Sequence, residues 1–391
     1  MTYARTSPIP SYATLAGMPE LPDIEVYREA LERRLIGRRL VGVRLASVSL
    51  LRSVEPPLAE LAGARLVATR RLGKRVVLSF ERELFLVIHL MIAGRLRWRP
   101  LGAKLQRRYA HAGFDFENGT LLLTEAGTQK RATLHAVRGE AALRAHDPGG
   151  ADVLACSEAE FAALLTRERH TLKRTLTDPH VLSGIGNAYS DEILHAARLS
   201  PVQLTTNLAP EEIARLFVAT RDTLRVWTDR LRAQTGDAFP EEVTAFRPEM
   251  AVHGKFKQPC PVCGAPVQRI VHAANETNYC ARCQTGGRVL ADRALSQLLR
   301  KDWPRTLEEL KERRPSMRAA PPPTPTPSAG PSDAQPKRAL SWDAARGIPG
   351  PAAPANTGPA ASADPRSRDG NRDNPSSRSG APRRSRRSRT P

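Results

Sequence analysis

The sequence predicts an α+β chain with three folded parts: an antiparallel β-sandwich led by one helix, a helical part, and a hairpin that carries four cysteines. Short apolar runs separated by Gly or Pro fill residues 40–137 and are typical of strands. Beyond residue 152 the apolar residues recur at helical spacing, and two Cys-x-x-Cys pairs follow. A chain of 391 residues is expected to form two or three domains.

The leading helix is indicated by Ile24, Tyr27, Leu31 and Leu35, which recur at spacings of three and four before Gly37. The strand runs follow in order as RLVGVRLASV, RLVATRRLGKRVVLSF, LFLVIHLMI and GTLLLTEAG. Several short strands at this spacing predict a sandwich or barrel.

Composition and motif positions set the expected domain boundaries. The tail from residue 315 is rich in Pro, Ser and Arg and has too few apolar residues to offset ordering entropy, so disorder is expected. It is either a solubilising tail or a nonspecific DNA tether. The predicted segments are a non-native or removed leader (1–17), the sandwich (18–147), the helical domain (148–250), the four-Cys finger (251–287), a short helical extension (288–314) and the tail (315–391).

Charge dominates the composition, with 60 Lys and Arg against 40 Asp and Glu, a formal +20. Nucleic acid is the expected partner of such a chain, with an anionic membrane surface as the competing interpretation. The sequence has no run of 18 apolar residues, so no membrane segment is predicted. Four of the five cysteines are grouped, which favours a metal site in a reducing compartment, and the bacterial cytoplasm or nucleoid is expected.

The cysteine pairs, Cys260 with Cys263 and Cys280 with Cys283, have the spacing of a tetrahedral zinc site. Four thiolates leave no open position, so one structural Zn²⁺ is predicted, holding the hairpin Val267–Tyr279 rigid. Redox-active pairs are the alternative.

A second motif, Leu182-Ser-Gly-Ile-Gly-Asn187, lies between two predicted helices. Its glycines permit a tight turn, and the amides at the start of the following helix can hold a phosphate, with Asn187 as a further donor. A plain connector is the alternative.

A third motif is the stretch GMPELPDIE. If Met18 initiates the chain and is removed, Pro19 has a free amine with a pKa of about 8, a nucleophile that can attack a sugar C1′. Glu20 beside it can move protons. On spacing alone the stretch is more simply the start of a helix, with Asp23 as its cap.

These blocks together resemble the formamidopyrimidine-DNA glycosylase/endonuclease VIII family. MPELPDIEVYREAL is similar to its N-terminus, RLGKRVVLSF and VIHLMIAGRLR to its next blocks, LKRTLTDPHVLSGIGNAYSDEIL to its helix–two-turn–helix, and HGKFKQPCPVCG…NYCARCQ to its zinc finger. The blocks stand in the family's order from Met18 to about Gln284.

The resemblance implies a bifunctional DNA glycosylase/AP lyase that excises oxidised bases through a proline iminium and nicks the strand by β,δ-elimination. Pro19 would be the nucleophile, Glu20 the acid/base and Lys74 a catalytic-site lysine that holds phosphate near the lesion. His89 and Asn187 would contact DNA, and Glu192 matches a family glutamate. The functional chain would then begin at Pro19, because a Pro19 nitrogen in an amide bond is not a nucleophile.

Three departures from the family pattern concern DNA contacts. Ile92 stands where purine-type members have a methionine, and the family's DPRRFG segment is replaced by TEAGTQKR, leaving Lys130 and Arg131 to reach the unpaired base. Asn275 stands where the finger has an arginine, and Asn cannot reproduce a bidentate phosphate contact.

The predicted partner is therefore duplex DNA with damaged bases or abasic sites, bound by a monomer. Oxidised purines such as formamidopyrimidine and 8-oxoguanine are the expected lesions. The alternatives are an oxidised-pyrimidine glycosylase of the endonuclease VIII type and a noncatalytic lesion- or DNA-binding protein.

Overall fold

The structure, a computed structural model, describes residues 17–106, 108–126, 129–241, 243–244, 246–272, 275–291 and 303–312. The predicted leader up to residue 16, residues 292–302 and 313–314 of the predicted extension, and the predicted tail lie outside the described residues.

The N-terminal part is a sandwich of two four-stranded antiparallel sheets, as predicted. One sheet has the order β1-β6-β7-β5 and the other β2-β3-β4-β8. The strands are β1 (Leu40–Leu45), β2 (Leu66–Leu72), β3 (Arg75–Phe80), β4 (Leu84–His89), β5 (Gly94–Arg99), β6 (Ala110–Phe116), β7 (Gly119–Glu125) and β8 (Thr133–Arg138).

Strand β4 shows why parts of this region read as continuous apolar runs. Leu86 and Ile88 point into the core between the sheets, whereas Phe85 and Val87 pack with Leu143 in a smaller cluster on the outer face. Leu143 belongs to the short helix α2 (Glu140–Arg144). A strand covered on both faces has no polar side, so its sequence does not alternate.

Helix α1 (Leu21–Leu35) precedes the sandwich and begins earlier than the capping prediction implied. Glu20 is the N-cap, and Asp23, the expected cap, is the third helical residue, whose carboxylate accepts the Glu20 amide at 3.0 Å. Proline at the second position is compatible with a first turn because its missing N–H is not needed there.

The middle part is helical, as predicted, with α3 (Glu158–Thr166), α4 (Leu172–Thr177), α5 (Asn187–Ala196) and α6 (Pro210–Thr235). Its core includes Tyr189 and Trp227, whose ring centroids lie 5.9 Å apart in an edge-to-face arrangement. Eight of the ten residues of α5 are buried, so this helix is the central element of the part.

The third part contains the predicted hairpin, formed by β9 (Gln268–His272) and β10 (Asn275–Tyr279). The short helices α7 (Ala281–Thr285) and α8 (Leu307–Glu312) follow. Val252, Val267 and Tyr279 are fully buried in its core. Across the described ranges, no helix is long and apolar enough to cross a membrane.

The segment between α6 and the finger returns to the sandwich, which the sequence did not indicate. Phe239 enters the sandwich core, with its ring centroid 5.7 Å from that of Tyr27. Glu241 forms ion pairs at 2.7 Å with both Arg97 and Arg99 of β5. These contacts attach the segment to the sandwich before the chain enters the zinc-finger part.

Candidate active site and DNA-binding surface

The Glu20 carboxylate lies at the N-terminus of α5. It accepts backbone N–H bonds from Gly186 at 2.5 Å, Ala188 at 2.8 Å and Tyr189 at 3.3 Å, and the residue is 2% exposed. The amides of an N-terminal helical turn have no partner within the helix, so a carboxylate satisfies them. The predicted acid/base and the predicted phosphate-binding turn therefore meet at one point.

Lys74 reaches the same point from the two-residue turn between β2 and β3. A methyl group added at Gly186 would lie 2.6 Å from both Glu20 Oε1 and Lys74 Nζ. The two side chains thus flank the Gly186 α-carbon, and only glycine leaves room for them.

Burial perturbs both groups. It raises the pKa of Glu20, an effect that the Lys74 charge and the α5 amides partly oppose. Burial also lowers the pKa of Lys74, with Glu20 opposing and Lys173 adding to the shift. Perturbed titrating pairs of this kind are typical of catalytic sites.

Pro19 is buried beside this pair, in amide linkage to Met18. The Gly17 carbonyl accepts a 3.1 Å bond from Arg95 Nη2. On the other side of Glu20, Asp23 forms a buried 2.8 Å ion pair with Arg247. Arg95 lies within the VIHLMIAGRLR block but was not singled out there, and Arg247 lies outside the motifs.

His89 and Ile92 lie at the end of β4. His89 pairs across the sheet with Arg75, and burial, with Arg75 and Lys74 nearby, lowers its pKa to about 4. Ile92 is 41% exposed on the turn to β5. A Cβ on Gly94 would lie 2.2 Å from the Leu90 carbonyl oxygen, so this turn requires glycine.

Lys130 and Arg131 lie next to that turn, because Glu125, where β7 ends, pairs with Gly94. Both residues contact their own loop. Lys130 Nζ donates to the Glu125 carbonyl, and the Arg131 amide donates to the Glu125 carboxylate at 2.9 Å.

Asn187 contacts the finger: its Nδ2 donates to the Glu276 carbonyl of β10 at 2.8 Å. Asn275 pairs through its backbone with His272 at the hairpin end, and its side chain lies outside what the structure describes. The Asn187 amide group therefore joins the two-turn segment to the finger.

Glu192 has a clear structural role. Its carboxylate accepts the backbone N–H groups of Ala251, Val252 and His253 at 2.7–2.9 Å. It thus fixes to α5 the chain that leads into the finger.

Asp191, which was not predicted from the sequence, also joins α5 to the finger and to the chain that leads into it. Its carboxylate contacts Lys173 Nζ at 2.5 Å, His253 Nδ1 at 2.8 Å and the Asn278 amide at 3.1 Å. Lys173 also lies within the LKRTL block, but no spacing marks it as a partner of a residue eighteen positions later.

The four predicted zinc ligands come together, with all Sγ atoms within 4.8 Å of one another. The Cys260–Cys283 and Cys263–Cys280 sulfurs are 3.9 and 3.4 Å apart, close to the ~3.8 Å edge of a tetrahedron with Zn–S bonds of about 2.3 Å. The donor set fits one structural zinc. His195 Nε2 lies 3.3 Å from the Cys260 sulfur, a contact from α5 that the sequence did not predict.

Comparison with known proteins finds three family models in the order of the three parts. Residues 18–131 match the formamidopyrimidine-DNA glycosylase N-terminal domain, and residues 150–233 match the formamidopyrimidine-DNA glycosylase H2TH domain. Residues 257–286 match the zinc finger found in FPG and IleRS.

Similar whole proteins include the formamidopyrimidine-DNA glycosylase of Heliobacterium modesticaldum, 32% identical over 68% of this chain and 100% of the relative. That of Pelotomaculum thermopropionicum is 30% identical over 68% and 99%. Among solved structures, Lactococcus lactis Fpg in complex with DNA containing an abasic site is 25% identical, covers 68% of this chain and 99% of its own, and has a TM-score of 0.61. The chain therefore belongs to the formamidopyrimidine-DNA glycosylase family of DNA repair enzymes.

Proposed function

We propose that this chain excises oxidised bases from duplex DNA and then nicks the strand at the resulting abasic site. The observation that carries the proposal is that Glu20, which is buried and follows Pro19, and the half-buried Lys74 meet at the Gly186 α-carbon. The abasic-site complex of the similar Lactococcus lactis protein supports a ligand of this class. Duplex DNA is the partner, and the protein acts as a monomer in the bacterial cytoplasm or nucleoid.

The chemistry requires a free Pro19 amine. In amide linkage to Met18 the nitrogen lone pair is delocalised and cannot attack carbon. The active form is therefore one that begins at Pro19, produced by initiation at Met18 or by removal of the preceding residues.

In that form the Pro19 lone pair attacks C1′ and the glycosidic bond breaks, so that the base departs with the bonding electrons and takes up the proton that the Pro19 nitrogen loses. Glu20 donates its proton to O4′ as the sugar ring opens, and this leaves an iminium cation. Loss of a C2′ proton then expels the 3′ phosphate, and a second elimination expels the 5′ phosphate. Water hydrolyses the iminium and regenerates the amine.

The structure supports these roles for the two charged groups. Since burial raises the pKa of Glu20, the carboxyl keeps its proton at a higher pH than an exposed glutamate and can act as an acid. Lys74 supplies positive charge for a phosphate beside the lesion. Asn187 and His89, on the flanking elements, are proposed to contact the strand backbone, as is Asn275 from the finger.

Base extrusion leaves a gap in the duplex that protein side chains must fill. Ile92, exposed on its glycine-dependent turn, is the proposed wedge. Lys130 and Arg131, on the adjacent loop, are proposed to reach the unpaired base. Because the His89-Leu90 pair and the zinc finger resemble those of the purine-type members, oxidised purines are the proposed lesions, with oxidised pyrimidines as the second candidate. Excision assays on duplexes that each contain one lesion distinguish the two.

Borohydride trapping on abasic-site DNA tests the covalent step. Protein with a sequenced Pro19 N-terminus should form a reduced adduct that maps to Pro19. The matched control is protein that retains residues 1–18, which should bind DNA without forming the adduct. A verified Pro19 N-terminus with DNA binding but no adduct would contradict the lyase and support the noncatalytic DNA-binding alternative.

A further inference from the structure

A group of basic side chains covers one end of the outer face of the second sheet. Arg75 on β3 pairs directly with His89 on β4, and His135 on β8 pairs with Val87, two residues before His89. Because side chains alternate along a strand, the three lie on the same face. The ring of His146, from the turn after α2, lies 4.5 Å from the ring of His135. All four side chains are half-buried.

These four side chains lack the carboxylate partners that some other histidines of the chain have. Within the described ranges, none of the four makes a hydrogen bond or ion pair. By contrast, His170 lies 3.4 Å from Glu168, and His253 lies 2.8 Å from Asp191. Half-buried donors without acceptors are expected to receive a ligand that accepts hydrogen bonds.

The surroundings of the group are mostly positive. Lys74 precedes β3, and Arg52, from the segment that runs beside β8, acts on His135. The acidic neighbour is Asp147, which acts on Arg75. On the β2 edge of this face, Arg70 and Glu140 neutralise each other in a 2.5 Å ion pair. A dianionic or monoanionic ligand would therefore enter an environment of unbalanced positive charge.

We propose that Arg75, His89, His135 and His146 form a binding site for backbone phosphate of the bound DNA, and that the histidines take up protons when the DNA binds. The proposal rests on the proposed function in one respect, that duplex DNA is the ligand. The site adjoins Lys74 along β3, so a strand whose phosphate contacts Lys74 continues onto it.

Electrostatics explain the proton uptake. In the free protein burial lowers the pKa of His135 and His146, and their cationic neighbours lower it further. His89 shows the same effect more strongly. A phosphate placed among the rings favours the charged form of each and raises its pKa. Binding is then linked to protonation, and affinity must rise as the pH falls.

The test measures binding alone, with a duplex that contains a tetrahydrofuran abasic analogue, which the chemistry cannot process. Its Kd is measured from about pH 8.5 to about pH 5.5 at several salt concentrations. The variants are His146→Gln and the double variant His135→Gln/His146→Gln. His170→Gln is the matched control, since its imidazole faces a carboxylate and lies outside the group.

Wild type and His170→Gln should bind more tightly as the pH falls. Removing one protonated imidazole from the phosphate should weaken affinity about 8-fold at 0.1 M salt and reduce the slope of log K against log salt by about 0.9. The variants should show this weakening at the acid end and bind nearly as wild type at the alkaline end. A double variant with the wild-type pH dependence would overturn the proposal, as would an equal weakening at every pH.

Inorganic phosphate distinguishes a free-anion site from a DNA site. If phosphate alone shifts the imidazole titrations while the variants leave DNA affinity unchanged at all pH values, the assignment to DNA is wrong. Borohydride trapping separates this proposal from the proposed function. If the double variant is trapped on abasic-site DNA but its binding has an altered pH dependence, both the lyase function and the phosphate site are supported. Normal trapping with unaltered pH-linked binding removes only the phosphate site.

Discussion

Gly186→Ala places one methyl group between the two proposed catalytic side chains. The added Cβ would lie 2.5 Å from Glu20 Cδ and 2.6 Å from both Glu20 Oε1 and Lys74 Nζ. The backbone at Gly186 has φ −130° and ψ −154°, an extended conformation that alanine adopts freely. The effect therefore comes from contact with these two groups and not from backbone strain.

The magnitude follows from the overlap. Ordinary van der Waals contact begins at 3.4 Å, so Glu20 and Lys74 must each retreat by about 1 Å, a misplacement that costs about 100-fold in rate. Retreat also stretches the Gly186 N–H bond to Glu20, and an overpacked site costs about 1–3 kcal/mol of stability. We expect single-turnover excision to slow by about 100-fold or more, with a lower Tm.

Single-turnover excision, thermal unfolding and binding to the abasic analogue are measured on the same preparations. Gly42→Ala on β1 is the matched control, because a Cβ there meets nothing within 4 Å and its φ is not positive. That variant should retain wild-type excision. A folded Gly186→Ala variant that excises within about 3-fold of wild type would refute the placement of Glu20 and Lys74.

Four further outcomes are expected. Glu20→Gln should abolish excision and leave binding to the abasic analogue intact; normal excision would contradict the acid/base role. Because burial lowers the pKa of Lys74, its charge is lost at a lower pH than that of an ordinary lysine. Lys74→Arg should therefore move the alkaline fall of the nicking rate to higher pH. If that fall does not move, it is not caused by loss of the Lys74 charge. Asp191→Asn breaks a buried ion pair and should cost about 3–5 kcal/mol of unfolding free energy, against less than about 1 kcal/mol for the exposed Asp229→Asn; equal costs would refute the distinction. Chelation of the zinc should release one equivalent of metal and abolish tight DNA binding until zinc is restored, and unchanged affinity of the metal-free protein would contradict its structural role.

The sequence predicted the parts of the fold that depend on local pattern. Strand periodicity shows which residues share a hydrophobic face, and this predicts the sandwich. The Cys-x-x-Cys spacing places metal ligands within a few residues of each other, and this predicts the finger. The start of α1 was placed less accurately, because an acidic residue can cap a helix from the N-cap or from the third position. Local sequence does not distinguish the two for Glu20 and Asp23.

Contacts between distant residues were not predictable in the same way. Glu20 meets Gly186 across 166 positions, and Glu241 meets Arg97 across 144. No periodicity encodes such pairs, and the resemblance gave Glu20 a catalytic role without placing it against Gly186. Asp191 and Lys173 were missed for the same reason. Their importance comes from burial, and charged residues on helices are usually exposed, so the sequence does not indicate it.

Asn275 stands where the finger has an arginine, and the contacts of nearby basic residues limit which of them could supply the missing phosphate contact. Lys255 donates to the Pro248 carbonyl at 2.8 Å, so its ammonium is engaged by a residue outside the hairpin. Arg269 lies on β9 with its guanidinium 4.3 Å from the Phe256 ring centre and 3.0 Å from Glu276.

Arg269 has the properties that a phosphate contact needs. Its side chain is 44% exposed, so its ion pair with Glu276 is weak in water and can be exchanged for a phosphate. Stacking on Phe256 orients the guanidinium and reduces the entropy lost on binding. Glu276 also presents its carbonyl to Asn187, so a phosphate that draws Arg269 away leaves that backbone contact in place. The finger hairpin therefore carries a guanidinium even though Asn275 stands in place of the arginine, because Arg269 lies on the neighbouring strand β9.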